Sequence, residues 1–135
     1  MTYYPDLATY DYDYHAPPEG LTIGWLEGDE AFPTGESSDE FVTDLLDLGA
    51  FLDHKARGFH HCTICPVLTE PMATSPRTGQ TYPLGHAEIR ATAPDGTLYV
   101  APNLIIHYVQ EHGYLPPTQF VEAVRAEVVR RYPAG

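Results

Sequence analysis

The chain has 135 residues, with 19 acidic and seven basic side chains and a net charge of −12 at pH 7. That charge repels polyanions and argues against nucleic acid or an anionic membrane as a partner. The length and the 43% hydrophobic content suit a single domain, residues 1–135, with a buried core, and no run approaches the ~20 apolar residues of a membrane helix.

Residues 1–53 hold thirteen Asp/Glu and no Lys/Arg, whereas residues 54–135 hold six acids and seven bases. The start, MTYYPDLATYDYDY, has neither the basic nor the apolar region of a signal peptide, so a cytoplasmic location is expected. Tyr10-Asp11-Tyr12-Asp13-Tyr14 alternates aromatic and acid, as an edge strand or arm would, and Pro17-Pro18 breaks it. Leu21 to Leu26 reads as a short strand.

Ser37 followed by Glu40 matches a capping box, and Phe41, Leu45, Leu48 and Leu52 recur at helical spacing, predicting a helix over about 38–54. Asp39, Glu40, Asp44, Asp47 and Asp53 are expected on its solvent face. After Arg57-Gly58 come Phe59 to Pro66 and then a Pro/Thr/Ser-rich stretch, roughly 69–80, which reads as a mobile loop.

The stretches His86–Thr92 and Thr97–Val100, joined by Pro94-Asp95-Gly96, predict a β-hairpin. Pro102 is suited to a first helical position, and the helix runs from Leu104 to His112, where Gly113 stops it. Pro116-Pro117 opens a last helix with an apolar stripe of Phe120, Val121, Val124, Val128 and Val129 and with Arg125, Arg130 and Arg131 outside it. Strand, helix, knuckle, hairpin and two helices make an α+β domain.

The two cysteines, Cys62 and Cys65, are too few for a secreted disulfide framework. Their separation by two residues allows both sulfurs to reach one zinc ion from a tight turn. His107 and His112 form a second pair on the helix that follows the hairpin, so the second half resembles a treble-clef zinc module. The fit is imperfect, because treble-clef helices give ligands from their first turn. Five residues on an ideal helix turn ~500°, leaving the two rings about 140° apart unless the last turn deforms. The ligand set is therefore Cys62, Cys65 and His107, with His112 or His60 as the fourth donor. His61 precedes Cys62 as well and competes with His60.

Other readings are weaker. A dithiol redox pair sits at a strand-to-helix transition, and Pro66 with the loop after it offers none. His107 to His112 carries one residue too many for the H-x-x-E-H metalloprotease pattern. His86, Glu88 and Arg90 share a strand face that reads as solvated, or else as a ligand-orienting one. His15 and His54 read as ordinary histidines. There is no phosphate loop, dinucleotide fingerprint or G-x-S-x-G.

The chain resembles a small uncharacterised family of actinobacteria and related bacteria with the pattern R-G-x-H-x-C-x-x-C and then H-Y-V-x-x-H-x-Y-x-P-P. The pattern falls on Arg57, His60, Cys62, Cys65, His107 and His112, and the likeness extends to Tyr3–Tyr14, Gly24–Leu26, Glu88-Ile89 and Tyr99–Pro102. The resemblance ranks His60 above His61 and implies no activity.

The resulting expectation is a small acidic zinc-binding protein whose zinc is structural and whose acidic half binds a protein partner with a basic surface, as immunity proteins or regulators do. The alternative is a zinc enzyme acting on a small molecule through a three-ligand open site, with His60 or His112 as acid/base and Glu88 or Arg90 orienting the substrate. A third reading is a sensor that loses structure with its metal.

Overall fold

The computed structural model describes residues 3–10, 20–55 and 59–133. The Asp11–Tyr14 part of the Tyr/Asp alternation, the Pro17-Pro18 break, His15 and Arg57-Gly58 lie outside the described residues.

The centre is a three-stranded sheet in the order β1-β5-β4, with β1 at Leu21–Thr22, β4 at Glu88–Thr92 and β5 at Leu98–Pro102. The predicted hairpin is present: β4 and β5 pair antiparallel with Ile89 opposite Ala101 and Ala91 opposite Tyr99. Gly96, at φ +91°, closes its turn, and Asp95 Oδ1 accepts the Thr97 N–H at 2.9 Å. β1 joins β5 in parallel, with Leu21 opposite Tyr99. It is shorter than the expected Leu21–Leu26 strand. Gly24 departs at φ +74° and approaches the Ile105 side chain so closely that a Cβ would sit 2.8 Å from Ile105 Cδ1.

Ile89 and Ala91 face the core beneath two helices, α1 (Asp39–Gly49) and α3 (Thr118–Arg131). On the other face, Val100 is covered by Trp25 and Tyr10, whose rings stack at 5.4 Å, with Tyr4 edge-on to both. The Trp25 Nε1–H donates to the Val100 carbonyl at 3.0 Å. With both faces covered, β5 is buried from Tyr99 to Pro102.

Helix α1 differs from expectation in three ways. Its N-cap is Ser38, whose Oγ accepts the Phe41 N–H at 3.1 Å, while Ser37 Oγ is buried without a partner. It ends at Gly49, where the backbone lies against the Tyr82 ring and a Cβ would meet Tyr82 Oη at 2.4 Å. Leu52 and His54 then turn to positive φ. Asp44 and Asp47 also point inward and are buried. Asp44 meets Arg125 on α3, and Asp47 accepts from Ser75 Oγ at 2.7 Å and from the Arg77 N–H at 3.1 Å.

That last contact reorganises the stretch expected to be a loop. Residues 72–83 form a second hairpin, β2 (Met72–Thr74) against β3 (Thr81–Pro83), with Ala73 and Tyr82 buried. Pro102 ends β5 instead of starting a helix; at a strand terminus its missing N–H costs nothing. Helix α2 spans Ile105–His112, and Gly113, in the left-handed region at φ +64°, stops it as expected. In α3, Phe120, Val124 and Val128 are buried together with Ala123, whereas Val129 is 59% exposed.

Candidate metal centre

The turn bearing the cysteines is held from two sides. The His60 N–H donates to the Gly85 carbonyl at 2.8 Å, and Gly85, at φ +106°, comes so close that a Cβ would lie 2.3 Å from the His60 oxygen. On the other side, the Gly28 N–H donates to Thr63 Oγ1 at 2.8 Å, and Thr63 in turn donates to Glu27 Oε2 at 3.1 Å. Within the turn, the backbone N–H groups of Ile64 and Cys65 favour the thiolate form of Cys62.

The facing donors come from α2. His107 is the third residue of α2, in its first turn as a treble-clef ligand would be and not mid-helix as expected, and His112 is its last, a spacing that leaves two rings far apart on an ideal helix. The observed last turn is wider: the Gly113 N–H donates to the Tyr108 carbonyl five residues back, and the Tyr114 N–H donates to the same oxygen at 3.1 Å. A turn closed by an i→i−5 bond advances each residue through a smaller angle, and His112 returns to the His107 side. The two imidazoles meet edge to face with centroids 5.0 Å apart.

Four donor atoms converge. Cys65 Sγ lies 3.3 Å from both His107 Nε2 and His112 Nε2, and Cys62 Sγ lies 3.4 Å from His112 Nε2. All four atoms fall within 4.8 Å of one another. Sulfur and nitrogen bonded tetrahedrally to zinc, at ~2.3 and ~2.0 Å, are separated by about 3.5 Å, so the cage has the dimensions a small thiophilic dication requires. Burial, and then the neighbouring His112, lower the His107 pKa and favour the neutral imidazole that a metal needs. Burial raises the Cys62 thiol pKa despite the backbone donors, so metal binding there would release a proton.

The group comprises Cys62, Cys65, His107 and His112, and His60 is not part of it. His60 serves the site through its backbone, and the His61 ring is directed to the Thr69 carbonyl at 3.3 Å. Glu88 and Arg90 do not form a solvated face: Arg90 Nε donates to Glu88 Oε1 at 2.9 Å, Tyr10 Oη–H donates to Glu88 Oε2 at 2.5 Å, and both side chains are largely buried. His86 stacks on Phe59 with centroids 4.7 Å apart.

Thr69, whose Oγ1 approaches the Cys65 sulfur at 4.0 Å, and the Glu27-Gly28 pair that clamps the turn carried no signal in the sequence. Tyr108, the Tyr of the H-Y-V pattern, is fully buried with its hydroxyl unpartnered.

Among the described residues no helix is long and apolar enough to cross a membrane. No curated protein and no solved structure matches the chain. Residues 2–125 match the model of a family described as a domain of unknown function, DUF7919. The small uncharacterised family anticipated from the Cys/His pattern is consistent with that match, and over nearly its whole length the chain belongs to the DUF7919 family.

Proposed function

We propose that the chain is a protein-binding module whose fold is locked by one structural zinc ion on Cys62, Cys65, His107 and His112. The observation that carries the reading is the convergence of two thiols and two imidazoles, from segments more than forty residues apart, at 3.3–3.4 Å. Two sulfurs and two ring nitrogens suit zinc better than magnesium or calcium, which take oxygen ligands. Four protein donors fill a tetrahedron and leave no position for an activated water, which favours a structural over a catalytic ion. The ion would supply a dication that stabilises both thiolates and ties the turn to α2.

The binding half of the reading is supported by exposed Asp29, Glu30, Glu36, Asp39 and Glu40, a run of acids ahead of and at the start of α1. Such a run attracts a partner with a basic surface and accelerates encounter with it. The face is narrower than the sequence implies, because Asp6, Asp44 and Asp47 are spent on internal hydrogen bonds or ion pairs.

Metal analysis of the purified chain, followed by melting with and without a strong chelator, tests the first half. One zinc per chain and a large fall in Tm on chelation are expected, and chelator-insensitive melting overturns the structural role. Partner capture at low and high salt tests the second half: a partner retained equally at both contradicts an acidic docking face.

A further inference from the structure

Four large apolar side chains are strongly exposed between residues 59 and 72, on either side of the cysteine turn: Phe59 (54%), Val67 (69%), Leu68 (71%) and Met72 (56%). Large apolar side chains left exposed together mark interaction surfaces. Two of them, Phe59 and Met72, wall a groove of about 370 Å³ together with His61, Glu70, Pro83 and Leu84, while Val67 and Leu68 do not line it. Its walls are fixed. Phe59 stacks on His86, Leu84 is buried and donates its N–H to the Pro71 carbonyl at 3.0 Å, and the His60 N–H is tied to Gly85.

The groove adjoins β2, whose outer edge pairs with no other strand among the described residues. The bonds from Leu84 N–H to Pro71 O and from Ser75 N–H to Gln80 O fix the alternation of the β2–β3 ladder. In that alternation the N–H and C=O groups of Met72 and Thr74 turn away from β3, and both residues are exposed. An extended chain adding to such an edge gains main-chain hydrogen bonds there and places alternate side chains in a neighbouring pocket.

The charges select the occupant. Apart from the His61 ring, Glu70 is the only titratable group among the described lining residues, and it is exposed. A second copy would bring another net charge of −12 against this one. We propose that the groove and the β2 edge form a docking site for an extended segment of another protein, with a bulky apolar side chain seated between Phe59 and Met72 and a Lys or Arg beside it paired with Glu70. The proposal rests on the protein-binding reading and locates a contact that the acidic run does not provide.

The test is an NMR titration of the full chain, loaded with zinc, with two blocked pentapeptides: leucine–tryptophan–leucine flanked at each end by lysine, or at each end by glutamate. The lysine peptide should shift the Met72 and Thr74 amides and the Leu84 methyls, binding about tenfold more tightly than the glutamate peptide. Glu70→Lys should reverse that preference and Met72→Asp should abolish binding; both positions are exposed, so both variants should fold. Equal affinity for the two peptides, or no shift at millimolar peptide, overturns the proposal. Shifts confined to residues 27–40 also overturn it while leaving the acidic-face reading standing, and a fold indifferent to chelation removes the structural zinc while leaving the groove intact.

Discussion

A Cβ on Gly85 would lie 2.3 Å from the His60 carbonyl oxygen, and the backbone there already holds φ at +106°. Gly85→Ala therefore combines strain with a backbone clash and should cost roughly 2 kcal/mol or more in urea unfolding, while weakening metal retention because the cysteine turn is displaced. Single donors can be distinguished as sharply. His112→Ala should lower metal affinity by orders of magnitude, whereas His60→Ala should leave one metal per chain in a competition titration with a chromogenic chelator. Tyr108→Phe removes a buried hydroxyl without a partner, so it should leave stability unchanged or raise it by up to about 1 kcal/mol, read from the shift in urea midpoint. At this scale the sequence was most legible where chemistry is local. The Cys62–Cys65 spacing announces itself, and Asp95-Gly96 announces its turn. His112 was harder, because ideal helix geometry argues against it and only the widened turn at Gly113 brings it round.

Among the elements, α3 is fastened to β4 by Glu127. Burial alone would raise its carboxyl pKa, but the Thr92 N–H, Arg131 and Arg130 outweigh burial and hold it below the ordinary value. A carboxyl lowered in the folded state adds stability that is present above its unfolded pKa and is lost as the pH falls through its folded pKa. Asp44 has the opposite sign: burial, only partly offset by Arg125, raises its pKa, so its ionised form weighs against the fold at neutral pH and protonation relieves it. Urea midpoints measured from about pH 7 to 3 should therefore fall on acidification less steeply in Glu127→Gln than in the native chain, and Asp44→Asn should gain stability at pH 7 that shrinks toward low pH. The elements that sequence reading mistook are those fixed by such distant partners. Leu52 continues the helical period of α1, yet the fit of Gly49 against Tyr82 ends that helix first. Met72-Ala73-Thr74 has no period to read; it is a strand because Tyr82 pairs with Ala73 and because Asp47, on another element, holds Ser75.

Across the whole molecule, the acidic half and the half that carries the four candidate ligands interlock more than the division of charge suggests. Asp6 accepts from Tyr114 Oη–H at 2.7 Å, Thr34 bridges to Tyr114, the Gly35 N–H donates to the Gly113 carbonyl, and the Leu115 N–H donates to Pro33. The segment carrying the exposed acids is thus stitched to Gly113, Tyr114 and Leu115, one to three residues beyond His112 at the end of α2. Stripping the metal should accelerate amide hydrogen exchange at Gly28, Gly35 and Leu115 well before it does so in β4 and β5, and uniform acceleration would contradict this coupling.

The Cys65–His107 contact spans 42 positions, and both hairpins lie inside the ring it closes. Each hairpin forms across a short turn, β2–β3 between Thr74 and Thr81 and β4–β5 between Thr92 and Leu98, so both can assemble on the microsecond scale without an ion. Their formation shortens the free chain that must still be closed before the four donors meet. An ion that enters after the rate-limiting step lowers the native state without lowering the barrier to reach it. In stopped-flow experiments zinc should hardly alter the refolding rate and should slow unfolding markedly, making the ion a latch on the finished molecule rather than a nucleus for its assembly.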